Sequence, residues 1–391
     1  MCATRRTTTP LGRARRHQRP PACFVLALFA VSALLVLGSG CGTPGTSQSA
    51  LTAPVAQAPS VRQVRVHLAP TPAISTTVRT AQRHLYPFAT SNVGLMQPAV
   101  DAHGTVWVGE MHANRLGRLN AQTGAVTSWT PPGAQDGIMT TTVDAQGDAW
   151  FAEQNANYIG HFAARQQTFR LFPLGTWKGS PLGPQDLHFD GKGLLWFTAA
   201  EGGVIGRLDP RSGAIRLWPV PSTAFGVPSS PSSLTIAPNG LVWFGEMTGG
   251  VLGNLDPLTG QITLYNLPNP QTQVFSMATD SRGRLWFTEV LPGRLGLFDP
   301  TTATLTELPV PALAGGPPAL YALDIDHRQQ IWFVDVGANM LVRYAPQQQT
   351  LTFFRLALPG SAPFGLTLDS AGRLWFTAGG SSANYVGEMA P

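Results

Sequence analysis

Short apolar runs alternate with polar turns along most of this 391-residue chain. One unit reads Pro363-Phe364-Gly365-Leu366-Thr367-Leu368, then the turn Asp369-Ser370-Ala371-Gly372, then Leu374-Trp375-Phe376-Thr377. Short runs rich in aromatic and β-branched residues, bounded by turn residues, read as strands joined by hairpins. A third run follows in each unit, as in Ile205-Gly206-Arg207-Leu208, and closes on Asp209-Pro210-Arg211-Ser212-Gly213. Asp, Pro and a final Gly suit a type I turn with a left-handed Gly. Ala214 to Pro219 then supplies a fourth strand. A helical repeat needs an apolar period of about 3.6 residues, and no unit shows one.

The unit recurs. Asp101/Gly104/Trp107, Asp144/Gly147/Trp150, Asp190/Gly193/Trp196, Asp280/Gly283/Trp286 and Asp369/Gly372/Trp375 carry the full phrase. Ala237 replaces the Asp before Gly240/Trp243, and Gln329 replaces the Gly between Asp326 and Trp332. The steps from Trp to Trp are 43, 46, 47, 43, 46 and 43 residues. Four short strands at this period make one blade of a β-propeller. The sequence therefore predicts an all-β, seven-bladed propeller with four antiparallel strands per blade. The Trp is expected as core between blades, because large aromatics dominate core burial.

The ends of the repeat region are complementary. Thr77 to Pro87 looks like an outer strand without its first three, and the last repeat ends at Val386-Gly387-Glu388-Met389 after its third. The N-terminal strand is expected to complete the last blade and close the ring, leaving no sheet edge between the chain ends.

Three regions follow. Residues 1–41 read as a lipoprotein-type signal peptide, with six arginines, an apolar run from Ala22 to Leu37, and Gly38-Ser39-Gly40-Cys41. Cys41 is the expected lipidation site; cleavage nearby or an uncleaved anchor are the alternatives. Residues 42–76, rich in Ala, Pro, Ser and Thr, read as a flexible tether, in which Val61 to His67 has the composition of a short strand. Residues 77–391 are the propeller. The chain is expected to be exported and lipid-anchored in a bacterial cell envelope.

The signal segment changes the charge picture. Of 26 basic residues six lie before Cys41, leaving 20 against 21 acidic ones. The mature chain is near neutral, which argues against nucleic-acid binding by a basic patch. Only Cys2, Cys23 and Cys41 are present, so the propeller has no disulfide or Cys-based metal site. The histidines show no His-Glu-x-x-His spacing, and no Gly-x-Ser-x-Gly elbow occurs.

Trp286-Phe287-Thr288-Glu289, Ile205-Gly206-Arg207-Leu208-Asp209-Pro210 and Leu252-Gly253-Asn254-Leu255-Asp256-Pro257-Leu258-Thr259-Gly260 together resemble the virginiamycin B lyase (streptogramin lyase) family, over all seven repeats. The resemblance implies a lyase that opens the ester ring of type B streptogramins. A His would take a proton next to a carbonyl, an alkoxide would leave, and a magnesium ion held by carboxylates would stabilise the enolate. It places the base eleven residues before the last Trp, which here is Phe364. It places a second functional His at the same place one blade earlier, here Tyr321. The metal-side Glu positions are Ala362 and Gly379 here. None of these side chains accepts a proton as the base or offers a carboxylate.

Eleven residues before each Trp stand Met96, Met139, Gln185, Ser232, Phe275, Tyr321 and Phe364, a ring at one channel mouth. It is either a binding surface for a small-molecule or peptide ligand or a plug. Three residues after the Trp, Glu110, Glu153, Glu246, Glu289 and Asp335 offer oxygens to a magnesium or calcium ion, or else bond backbone N–H groups. Two readings of function follow: a binding module, expected as a monomer, or a diverged lyase or other metal-assisted enzyme. A His beside two carboxylates would favour the second.

Overall fold

The innermost strands of seven successive four-stranded sheets are Ala99–Val100, Ile138–Val143, Pro184–Phe189, Pro231–Ile236, Val274–Thr279, Leu320–Ile325 and Pro363–Leu368. Each hydrogen-bonds to the following Trp-bearing strand, and the order then runs outward in chain sequence. In this computed structural model the described residues are 60–68, 73–74, 79–81, 84–88, 93–133, 137–222, 226–313, 316–356, 358–380 and 383–390. The expected seven-bladed propeller is thus observed. The signal segment and Cys41 lie outside the described residues.

The repeated Asp-x-x-Gly-x-x-Trp phrase has a direct physical cause. In blade 3, Asp190 Oδ1 accepts the backbone N–H groups of Lys192 and Leu194 at 2.9 and 3.0 Å. Its Oδ2 accepts the indole N–H of Trp196 at 3.0 Å. One carboxylate thereby closes the first hairpin and fixes the core Trp. Asp144, Asp280, Asp326 and Asp369 make the same indole bond in their own blades. The hairpin needs a left-handed residue three before the Trp: Gly193 has φ 77° and Gln329 takes φ 60° in the same slot. In blade 4, where Ala237 interrupts the phrase, Asn239 Oδ1 accepts the Leu241 N–H at 3.1 Å instead. Asp101 closes its hairpin, but Trp107 Nε1 has no hydrogen-bond partner among the described residues.

Each Trp packs against the next blade, as expected of a core residue between blades. Trp196 clusters with Leu234, Phe244 and Leu264 of blade 4, and Trp375 with Val93, Val106 and Val108 of blade 1. Within its own blade the indole is covered by an aromatic from the outer strand, such as Trp218 on Trp196 at 5.2 Å. The third-strand Gly is there because a Phe ring occupies the space of its side chain. A Cβ on Gly206 would lie 2.0 Å from Phe197 Cζ, its cross-strand partner.

The ring closes through the N-terminal segment, with one correction to the expected clasp. His84–Pro87 pairs antiparallel with the last strand, Ala383–Met389, and completes blade 7. Arg79–Ala81, expected in the same strand, instead pairs parallel with the outer strand of blade 6, Thr350–Leu356. The reason is the chain's path around the rim. Ser60–Gln63 lies parallel on the outer strand of blade 4 (Ile262–Asn266), Arg65–Leu68 on that of blade 5 (Thr304–Pro309), and Ala73–Ile74 on that of blade 6. The flexible tether expected over 42–76 therefore does not extend over these residues, which form a strap of fifth strands; Val61 to His67 does contain strand. A second closure joins blades 1 and 7: the Gln97 amide donates to Leu366 O at 2.6 Å and accepts the Leu366 N–H at 3.2 Å. The described residues belong to one compact unit.

Candidate functional site: the central channel

Among the seven residues eleven before each Trp, the structure brings three into mutual contact. Phe275 lies edge-to-face on Tyr321 at 4.6 Å and on Phe364 at 5.4 Å, and Tyr321 and Phe364 are 5.1 Å apart. Adjacent inner strands of blades 5, 6 and 7 deliver them. Tyr321 is buried, while Phe275 and Phe364 stay half-buried and present their rings above it. Burial pushes the Tyr321 hydroxyl up to about 12, so the phenol stays protonated and donates rather than accepts as a base. Ser232 turns into the wall, donating to Val274 O at 2.7 Å. Met96 and Met139 are buried and Gln185 is half-buried.

The positions where the resemblance implies metal ligands do not fit a metal. A Cβ on Gly379 would meet the Leu95 backbone nitrogen at 2.8 Å, so no carboxylate has room there. Ala362 sits at φ 45°, and its N–H is held by Asn339 Oδ1 at 3.1 Å. No step through magnesium is derived from these residues.

The acids three residues after the Trp do not come together either. Each is buried at the end of its own second strand. Glu110 is paired with Arg115, 3.0 Å from its Nε, and accepts the Ser128 hydroxyl. Glu246 accepts the hydroxyl of Ser229 at 2.6 Å and the N–H of Ser230; burial outweighs both bonds and pushes its carboxyl up to about 7. Asp335 Oδ1 accepts Ala319 and Ala338 N–H groups, both at 3.1 Å, and burial raises its pKa. Glu246 and Asp335 thus bond backbone N–H groups, the alternative to an ion, whereas Glu110 is held by side chains. Glu153 is fully buried in the equivalent place. Glu289 differs: neither carboxylate oxygen has a hydrogen-bond partner among the described residues. Burial, then the charge of Glu307, pushes it up to about 8 against the pull of Arg294, which is itself paired with Glu307. The one group of described residues close enough to hold a metal is Asp144, Asp148 and His161 on the rim of blade 2. Its oxygens already serve Trp150, Ala164 and the hairpin.

Sequence reasoning missed a polar centre deeper in the channel. The residues paired with each Trp across the first hairpin form one level of the inner ring. In blades 3 and 6 they are His188 and Asp324. His188 Nε2 lies 3.5 Å from Asp186 Oδ2, and 46% of its side chain is accessible although it stands on an innermost strand. The accessible space is therefore the lumen. Asp186 Oδ2 accepts the Leu234 N–H at 2.9 Å and Asp324 Oδ2 that of Leu368 at 2.8 Å, so each carboxylate ties its blade to the next. Burial pulls the imidazole pKa down, but Asp186 and then Asp324 outweigh it, and the net direction is up. Burial raises the Asp324 pKa. A cleft of about 510 Å³ opens beside Asp324, between His327 and Asp369. The signal was present in the sequence as the residue eight before each Trp, a row that only the strand register makes into a ring.

The fold is a closed seven-bladed propeller whose inner strands carry an aromatic cluster and, three residues on, His188 and Asp324. Residues 81–389 match the model of the virginiamycin B lyase family, and the chain belongs to that family. It is similar in structure to a catalytically inactive variant of virginiamycin B lyase from Staphylococcus aureus, solved with quinupristin. That match has 23% identity and a TM-score of 0.69, over 79% of this chain and 98% of that one. A streptogramin B lyase structure matches at 25% identity and TM-score 0.68, over 78% and 96% of the two chains. YCF48 bound to a D1 peptide shares the fold at 12% identity and TM-score 0.62, over 81% and 98%. Among curated proteins, none matches the chain significantly.

Proposed function

We propose that the chain is an exported, membrane-anchored binding module that takes a small-molecule or peptide ligand at the aromatic mouth of its channel. The observation that carries this reading is the replacement of the family's chemistry by packing. Phe364 and Tyr321 stand where the resemblance expects histidines, and they form one aromatic cluster with Phe275. Half-buried rings over a buried floor suit an apolar or aromatic ligand, because such sites combine apolar walls with few polar groups. The lyase structure solved with quinupristin and the propeller solved with a peptide lend support by analogy of fold. The test is calorimetric titration with quinupristin and with aromatic peptides. Binding that Phe364→Ala weakens, while the melt holds, supports the reading; no heat with any of these ligands counts against it.

A second reading is favoured by His188. A half-accessible imidazole beside Asp186 and facing Asp324 has the composition of a general base with an orienting carboxylate. In this reading the chain is a diverged enzyme whose base sits on the inner strand of blade 3, three residues beyond Gln185, and not at the blade 7 position that Phe364 holds. Turnover of any cyclic depsipeptide lost in His188→Gln, with Kd unchanged, would establish it over the first.

A further inference from the structure

The rim where the strap passes from blade 4 to blade 5 carries chemistry that neither channel site uses. Residues 60–67 read Ser-Val-Arg-Gln-Val-Arg-Val-His and contain no acid. Val61 and Val66 are 54% and 47% exposed, and Arg62, Arg65 and His67 are exposed beside them. Ser60 pairs with Thr263, on the strand leading out of the last hairpin of blade 4. At the tip of that hairpin Leu258 is 91% exposed. Asp256 holds the tip in shape, accepting the Leu258 N–H at 2.8 Å and the Thr259 hydroxyl at 2.9 Å. The equivalent tip residues of blades 1, 2, 3, 5 and 6 are Gln122, Arg165, Arg211, Thr301 and Gln347, all polar. The apolar tip therefore occurs in the blade where the strap begins.

Upstream of Ser60 the chain has 18 residues back to Cys41, and before that the apolar run Ala22 to Leu37. Eighteen residues reach at most about 60 Å, at roughly 3.3 Å each. A chain anchored through that segment is tethered at the blade 4 rim, where Ser60–Gln63 joins the propeller. We propose that this rim is a membrane-facing surface: Leu258, with Val61 and Val66, dips into the interface of an anionic bilayer, and Arg62 and Arg65 meet its headgroups. The proposal rests on the membrane-anchored part of the function proposed above. Arg62 and Arg65 supply the charge complementarity to an anionic surface, while the carboxylate at the tip, Asp256, is engaged by the Leu258 N–H and the Thr259 hydroxyl. A leucine on a fixed turn enters the interface without ordering cost, because Asp256 already fixes the backbone.

The test uses residues 46–391, which keep all seven blades and the strap but lack Cys41, so it reads the rim and not the anchor. Sedimentation is measured with vesicles of phosphatidylcholine alone and of phosphatidylcholine mixed with phosphatidylglycerol. The expected result is binding to the mixed vesicles and little to the neutral ones. Arg62→Gln with Arg65→Gln should lower the partition coefficient about 25-fold, each Arg being worth about fivefold near an anionic surface. Leu258→Ser should lower it severalfold, with unchanged melts because all three residues are exposed. No binding of the parent fragment to mixed vesicles, or equal binding by parent and both variants, overturns the proposal. The mass of the membrane-extracted N-terminus tests the anchor separately.

Discussion

Tyr86 stacks on Trp375 with ring centroids 6.1 Å apart and planes 27° from parallel. It holds the place that Trp218 and Tyr265 hold over Trp196 and Trp243, so a residue from the start of the domain completes the aromatic cover of the last blade. Its hydroxyl donates to Ala121 O at 3.2 Å, which fastens blade 7 to blade 1 as well. Tyr86→Ala should cost about 2 kcal/mol, below the full value for a buried aromatic because Tyr86 is half-buried. A fall in Tm of a few degrees checks this; an unchanged melt contradicts it.

The strap changes what truncations should do. Removing residues 42–59 should leave the melt unchanged, since the paired strands begin at Ser60. Removing residues 42–74 should lower Tm and promote aggregation, because it bares the outer edges of blades 4, 5 and 6. Equal melts for both truncations would mean that the strap adds no stability.

Glu289 makes stability depend on pH. Its folded pKa, about 8, lies above the ordinary value of 4.5, so the folded state binds the extra proton. Stability therefore falls as pH rises between those two values, by up to a few kcal/mol, and the loss persists above about 8. Glu289→Gln removes that penalty. Urea melts at pH 5 and pH 9 should show the variant gaining on the parent as pH rises; a constant difference would contradict it.

Two substitutions test the reading of the repeat. Ala237→Asp restores the missing carboxylate of blade 4 and should stabilise by about 1 kcal/mol through bonds to the Asn239 N–H and the Trp243 indole, the Leu241 N–H being already held by Asn239. Gly206→Ala should destabilise by about 1–3 kcal/mol or more, since the added methyl meets the Phe197 ring. Denaturant midpoints decide both, and reversed signs would mean that these bonds and contacts are not what the phrase encodes.

The repeat was legible because one Asp, one Gly and one Trp do fixed work in most blades. Asp190 and Trp196 show that work at the level of single bonds. The strap was not legible: Ser60–Gln63 and Arg65–Leu68 are each four residues long and pair parallel with partners some 200 residues away, so no local hairpin signal marks them. The aromatic cluster follows one position of the repeat, which Phe275, Tyr321 and Phe364 share. The His188 centre was not legible, because Asp324, on the inner strand of blade 6, comes to act on it only when the ring closes, and Asp186 two residues away on the same strand carries no repeat signal. The acids after the Trp were legible as a set with two alternative uses, and Ser230 and Ala319 meet two of them with backbone N–H groups as one alternative had it; the Arg115 partner of Glu110 carries no repeat signature.

His188 offers an independent check on the lumen. Its pKa should lie above 6.5, and Asp186→Asn should bring it down by removing the strongest upward influence. Any stability gained from the charged pair is present below 6.5 and is lost as pH rises through the folded value. A proton NMR titration of the imidazole reads both; a value below 6.5 in the parent would mean that burial wins.

The central claim is that this member of the virginiamycin B lyase family lacks the family's lyase chemistry at the channel mouth. The most direct measurement is incubation of the purified protein with virginiamycin B and magnesium, following ring opening by chromatography. A missing base typically costs about 10²–10⁴ in rate, and loss of the cation removes a further stabilising influence on the enolate. Phe364, Tyr321, Ala362 and Gly379 therefore predict no ring opening above the uncatalysed rate. Metal-dependent turnover that EDTA abolishes would contradict the claim.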